Sequence, residues 1–438
     1  MRCSGRSDLQ IAIGHIRESR SEERSYRPDG PDQPDSTHGC FRPGLAFKID
    51  SKNQDFNQEG RNKVNFDFSD DQKLLRDQTR RFLAERCGMD QVRAVLEGRA
   101  PYAESVWSGL AEMGLIGTAI PEQYGGTGAG YLELCLVAQE LGAALAPTPF
   151  GSTVYLVAEA ILRGGSEAQR AALLPAIASG ELKGAFAVVE GRSAPTPQSI
   201  ETTFASGVLN GRKLVVPDGG IADLLVVLAR NDAGHLGFYL VDLRKAQVER
   251  ENVKSIDPTR NTATLTFRNT AAEPLGTGAD GWTFLQSLQD RAAVLYAFEQ
   301  LGGAQRALDM GVAYAKERFA FGRAIGSFQA IKHMLADMYV TAKLAESNCY
   351  YAAWALSTDA AELPLAAATA RVSATQAFQQ CSKDNIQVHG GMGFTWEFDC
   401  HLYYRRSNFL TLELGGLSVW EDRLVNGLRA TQQSPAAA

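Results

Sequence analysis

The chain has 438 residues, 45% of them hydrophobic, enough to bury a large core and to divide into two or three domains. Its 44 basic and 50 acidic residues leave a net charge of -6, with no basic cluster in the expected folded part to track a nucleic-acid backbone, so nucleic acid is not an expected partner. No apolar run approaches the roughly 20 residues that span a bilayer, and the seven scattered cysteines lack a Cys-x-x-Cys pair, which speaks against a disulfide framework and against a metal site. The expectation is a cytoplasmic protein.

Residues 1–63 are rich in Arg, Ser, Asp, Gln and Pro and keep neither a helical nor a strand period, which predicts a disordered extension. Val64-Asn65-Phe66-Asp67-Phe68-Ser69 then reads as a domain start, with Ser69 placed to cap a helix through Asp70-Asp71-Gln72. The native product is expected to begin at Val64, through a non-ATG codon. Residues 64–183 form the predicted N-terminal α-helical domain, with apolar spacing of three and four at Leu74, Leu75, Phe82 and Leu83 and turns at 121–126 and 146–149. Residues 184–276 change to short β-rich runs, Ala185 to Val189, Leu224 to Ala229, Gly237 to Val241 and Ala263 to Phe267, and predict a middle antiparallel β-domain.

Long helical periods return in 277–432. Leu285, Leu288, Ala292, Leu295, Leu301, Leu308, Val312 and Ala315 form one stripe, and Phe328, Ile331, Leu335, Met338, Ala342, Ala345 and Cys349 form another. Helices of this length in succession predict a C-terminal four-helix bundle with a subunit interface, followed by a disordered tail at 433–438. The fold class is thus α+β multidomain.

Two segments carry more specific information. Glu317-Arg318-Phe319-Ala320-Phe321-Gly322-Arg323-Ala324-Ile325-Gly326-Ser327-Phe328-Gln329 and Gln387-Val388-His389-Gly390-Gly391-Met392-Gly393-Phe394-Thr395-Trp396-Glu397 closely resemble two signatures of the acyl-CoA dehydrogenase superfamily. The resemblance extends to the domain order, to the Pro-Glu-Gln-Tyr-Gly-Gly turn at 121–126 and to a hairpin at Leu209-Asn210-Gly211-Arg212-Lys213. It implies an FAD-dependent enzyme that converts an acyl-CoA to the 2-enoyl-CoA, with FAD lying between subunits. A pyrophosphate needs a fixed, forked cation, the task the resemblance gives to Arg318. Gln329 can donate and accept at adenosine or ribityl groups, Gly390 and Gly391 allow close backbone approach, and Gln387, His389 and Phe321 complete the cofactor-binding set. Taken singly, Arg318 reads equally as a solvated helix charge, Gln329 as a surface residue, the glycines as a helix C-cap and Phe321 as bundle core.

Other positions depart from the family pattern. The loops that hold the isoalloxazine in relatives read Val188-Val189-Glu190-Gly191-Arg192-Ser193-Ala194 and Leu214-Val215-Val216-Pro217-Asp218 here, and Pro217 lacks an N–H. The reaction needs a carboxylate base, yet the two positions where relatives carry it hold Leu414 and Ala292. Glu413 is the nearest candidate base, although an offset of one residue on a helix turns a side chain by roughly 100°. Asp290 matches an acid that touches substrate or CoA in relatives; the Arg three positions on is replaced by Ala293.

The chain keeps the half of the FAD site that family members donate to a neighbour and lacks most of its own half. The resemblance therefore implies a subunit of a heteromeric acyl-CoA dehydrogenase, paired with a homologous subunit and delivering electrons to electron-transferring flavoprotein or a similar acceptor. A non-catalytic scaffold and a flavin-dependent oxidase or monooxygenase on the same fold are the alternatives. Mass spectrometry of the native protein checks the start at Val64: tryptic peptides from residues 1–60 would exclude it.

Overall fold

The computed structural model describes residues 68–276 and 280–433. The expected extension at 1–63 and tail residues 434–438 lie outside them. Ser69 caps helix α1 (Asp70–Arg86) as its sequence predicts: its hydroxyl accepts the Gln72 amide and the Gln72 side chain accepts the Ser69 amide, a reciprocal capping box. Helices α2 (Met89–Leu96), α3 (Glu104–Glu112) and α4 (Tyr131–Ala143) follow. A wholly buried π-helical segment, Gly151–Ala158, runs into α5 (Glu159–Gly164) and is followed by α6 (Glu167–Ala178).

The middle region is one eight-stranded sheet of β1 (Gly184–Ala187), β2 (Thr203–Ala205), β3 (Val208–Pro217), β4 (Leu224–Asn231), β5 (Leu236–Asp242), β6 (Glu249–Asn252), β7 (Thr262–Ala271) and β8 (Glu273–Pro274). Its path is β6-β7-β3-β2-β4-β5-β8. Most pairings are antiparallel as expected, but β1 and β2 both pair with β4 in parallel. Side chains alternate across a strand, so Leu224, Val226 and Leu228 of β4 enter the core shared with the helices. Leu225, Val227 and Ala229 enter a second core on the other face.

The expected hairpin at 209–213 is not a turn. Asn-Gly ordinarily signals a tight hairpin turn, but here Asn210 and Gly211 lie inside β3, and the turn falls at Ser206 and Gly207, whose φ values are 51° and 83°. Gly211 sits at a register irregularity against β7 with φ 146°, and a Cβ there would lie 2.7 Å from Thr202 Cα. The glycine serves a close approach within the sheet.

The C-terminal region begins with α7 (Gly281–Glu317), 37 residues long, and continues through a short hairpin of β9 (Phe319–Ala320) and β10 (Arg323–Ala324). Then come α8 (Gln329–Ser357), α9 (Leu363–His389), α10 (Cys400–Leu412) and α11 (Leu417–Gln433). The last of these carries helix one residue past the expected tail boundary. No described helix is long and apolar enough to cross a membrane.

Helices α4 and α7 approach through reciprocal glycines. A Cβ on Gly142 would collide with the Glu299 carbonyl, and one on Gly302 with the Gln139 carbonyl. Overpacking of this kind costs about 1–3 kcal/mol, so Gly302→Ala is expected to lower the urea midpoint markedly at an unchanged m-value, and Gly391→Ala, which meets open space, to leave it in place.

Candidate functional site

The sequence-predicted residues separate into an exposed group and a buried one. The exposed group lies where α7 and α9 end. Arg318 caps α7, its amide donating to the Tyr314 carbonyl at 2.8 Å and its carbonyl accepting the Ile325 amide at 2.8 Å. The backbone is thereby fixed while the guanidinium is exposed, with no ion pair or hydrogen bond among the described residues. Phe321 and Gly322 form the two-residue turn of the β9–β10 hairpin with φ values of 53° and 79°. Positive φ is costly for a bulky residue, and Phe321 is nonetheless 95% exposed, placed outward and not in the bundle core.

Gln329 opens α8 and Gln387 lies in the last turn of α9, both exposed. Gly390, with φ 60°, ends α9 by donating its amide to the Gln387 carbonyl, and nothing would meet a Cβ on Gly390 or Gly391. His389 behaves differently. Its ring is buried and stacked on Tyr314 at 4.0 Å, and Nδ1 lies 2.8 Å from the Asn385 carbonyl oxygen; burial lowers its pKa. Phe319, Met392, Phe394 and Trp396 leave large apolar surface exposed on the same two segments.

The buried group surrounds Glu413. Helix α10 stops at Leu412, so Glu413 adopts an extended conformation (ψ 132°) and Leu414 a left-handed one (φ 62°). Expectation from a continuous helix, a side chain turned aside, does not apply: Glu413 is buried, and its carboxyl faces the Tyr296 hydroxyl at 3.5 Å. Arg371 on α9 donates to the carbonyls of Glu413 (2.8 Å) and Leu410 and to Gln300 Oε1 (2.6 Å). The π-helical segment contributes Ser152, whose hydroxyl donates to the Asp218 carboxylate, and Tyr155, whose ring meets Tyr296 edge-on at 5.1 Å.

Beside them Arg260 pairs with Glu299, and Arg406 pairs with Asp257 at 2.6 Å and reaches Glu299 at 3.5 Å. None of these partners was foreseen. A lone Arg371 in an alanine-rich helix, and Arg260 in a polar loop, were the available signals. Asp290 is buried and accepts from Arg423 at 2.7 Å, so its charge is already matched inside the chain. Arg291 is likewise taken, by Glu159 and Asp359. Ala292 is fully buried.

Comparison with known proteins places this geometry. The acyl-CoA dehydrogenase N-terminal domain model matches residues 69–181, and the C-terminal domain model matches residues 279–419. Acyl-CoA dehydrogenase IpdE2 of Mycobacterium tuberculosis is 35% identical over 346 residues, 77% of this chain and 91% of that protein. The chain belongs to the acyl-CoA dehydrogenase family. Among solved structures, the Tcur3481-Tcur3483 steroid ACAD is 29% identical with a TM-score of 0.75, covering 83% of this chain and 99% of that one. A chain of the ChsE4-ChsE5 complex from Mycobacterium tuberculosis is 26% identical with a TM-score of 0.76, covering 85% and 100%.

Electrostatics distinguishes the buried acids. Burial pushes the Glu413 carboxyl up to about 7, the nearby Asp218 charge adding to the effect and Arg260 and Arg371 opposing it. Burial likewise pushes Asp218 and Asp290 up to about 6. A carboxyl whose folded pKa is raised keeps its proton where the unfolded chain has released it, so its contribution is largest below the unfolded pKa and is lost as pH rises through the folded one. Glu413 is therefore expected to make the chain less heat-stable as pH rises from about 4.5 to about 7. In calorimetry across that range Glu413→Gln should flatten the fall and raise Tm at about pH 8; an unchanged slope would remove Glu413 as its source.

Proposed function

We propose that the chain is one subunit of a heteromeric, FAD-dependent acyl-CoA dehydrogenase of lipid degradation, and that its Arg318 end completes an FAD site in a homologous partner subunit. The observation that carries this reading is the contrast between the two ends of the molecule. At the Arg318 end a cation, two amide side chains and an open glycine pair stand unengaged among the described residues, beside exposed aromatic surface. That donor set fits a dinucleotide: a forked cation for the pyrophosphate, amides for ribityl or adenosine groups, and backbone without Cβ atoms for close contact.

The positions that hold the flavin ring in relatives do not offer the same fit. Val189 and Val215 bring no hydrogen-bonding side chain, and Pro217 brings no N–H. The Asp218 amide donates to the Asn261 carbonyl and its carboxylate takes the Ser152 hydroxyl. Glu190 accepts from Lys213, at 2.5 Å, and from the amides of Glu201 and Thr202. The catalytic carboxylate then comes from the partner. Glu413, the acid this chain has to offer as a base, sits among Asp218, Arg371 and Tyr296 with its pKa raised by burial.

In the assembled site FAD supplies the hydride acceptor. This chain's residues bind and orient: Arg318 offsets the pyrophosphate charge, Gln329 and Gln387 fix polar groups, and Phe321 with its aromatic neighbours excludes water. The heteromeric relatives support the pairing, and an electron-transferring flavoprotein or similar acceptor takes the electrons.

The test is co-purification with a homologous subunit, measuring flavin content and dye reduction by acyl-CoA. Arg318→Ala is expected to lower flavin retention in the complex by at least about tenfold, and Glu413→Gln to leave turnover intact. Full flavin occupancy and turnover from the lone chain would overturn the partner model, and loss of turnover in Glu413→Gln would return the base to this chain.

A further inference from the structure

Arg318 and the Gly390–Gly391 pair lie at the ends of two different long helices, α7 and α9, yet the proposed cofactor contact requires them to hold one relative position. Tyr314, one turn before Arg318, stacks on His389, the last residue of α9, with ring centroids 4.0 Å apart and planes 23° apart. Phe398, beyond the α9 end, meets both rings edge-on, Tyr314 at 5.9 Å and His389 at 5.6 Å. The Tyr314 carbonyl accepts the Arg318 amide, and the His389 ring is itself held by Nδ1 against the Asn385 carbonyl at 2.8 Å.

We infer that Tyr314 is a positioning residue, its stack on His389 and Phe398 setting Arg318 against the Gly390–Gly391 backbone in the geometry that retains FAD. This rests on the reading of the Arg318 end given above. A side chain and a backbone segment presented by separately moving helix ends would each have to be ordered on binding; a shared ring stack removes that cost before the ligand arrives. Burial lowers the His389 pKa, which favours the neutral ring in this contact. The stack acts through Arg318 and the Gly390–Gly391 backbone, so its effect is read in retention of the cofactor.

The experiment uses the full chain with its partner subunit and reads the FAD dissociation constant from flavin fluorescence, alongside Tm. Tyr314→Leu, which removes the ring, should weaken FAD by roughly tenfold, the scale of an aromatic pair. Tyr314→Phe, which keeps the ring and drops the hydroxyl, should restore wild-type retention. His389→Leu breaks the same stack from the other helix and should match Tyr314→Leu; it also decides the matter if the latter fails to fold. Wild-type FAD retention in a folded Tyr314→Leu or His389→Leu variant overturns the inference, as does a Phe variant that loses FAD like Leu. Should Arg318→Ala leave FAD unaffected, the reading of that end falls; should only the Tyr314 and His389 variants be silent, the positioning role falls alone.

Discussion

A buried ionic knot holds the molecule's layers together. Arg406 on α10 pairs with Asp257, Arg260 beside it pairs with Glu299 on α7, and all four residues are buried. Each arginine also donates to a carbonyl of the N-terminal helical region, Arg260 to Thr148 and Arg406 to Leu145. A charge taken out of water must find a partner or surrender its proton. With two arginines matched to two acids, the knot is internally balanced, and it joins the loop before β7 to both helical regions. The acids just outside that balance bear the consequence: Asp218 and Glu413 sit in the same dry interior, and burial pushes both carboxyls upward.

The contrast with the Arg318 end follows from the same rule. Inside, the arginines Arg260, Arg406 and Arg371 all find acceptors within the chain, the last at the Glu413 carbonyl. At the ends of α7 and α9 a guanidinium and two carboxamides are left to solvent, Phe321 accepts a left-handed backbone, and apolar rings stay uncovered. A chain that folds for its own stability alone gains nothing from that arrangement. Strain and exposed apolar surface concentrate where something outside the chain is to be met.

Much of the fold was legible because its signals are local. Ser69 and Gln72 stand three residues apart and cap the first helix between themselves, and the stripe from Leu285 to Ala315 entered the bundle core as its spacing required, as did the stripe from Phe328 to Cys349 from Met338 onward, Phe328, Ile331 and Leu335 staying half-buried. The exposed site segments were legible as contiguous motifs. What escaped was set by contacts distant in sequence or by backbone turns with no residue signature. Asn210-Gly211 looks like a turn until Thr202 crowds the glycine. Helix α10 ends before a leucine with positive φ, where a glycine would have been the ordinary sign, so the inward path of Glu413 could not be read. The Arg260–Glu299 pair joins a loop to a helix thirty-nine positions away, beyond any local pattern.

Helix α9 connects the two ends. Arg371, Thr375, Gln379, Ser382, Asn385 and His389 recur every three or four residues, on one face of an otherwise alanine-rich helix. Arg371 and Thr375 meet Gln300 on α7, Gln379 meets Thr411 and Ser382 meets Ser407 on α10, and His389 meets Tyr314 on α7. Alanines on the rest of the helix would tolerate many registers, since their small side chains discriminate little between one rotation and the next. The polar face tolerates one, because a slip of a single residue turns it by about 100° and leaves buried hydrogen-bonding groups unmatched. At about 1.5 Å per residue, the stretch from Arg371 to His389 spans roughly 27 Å, so the register fixed around Glu413 also fixes where Gly390 emerges at the surface. The interior network and the outward-facing site are thus one positional constraint, carried by a single helix.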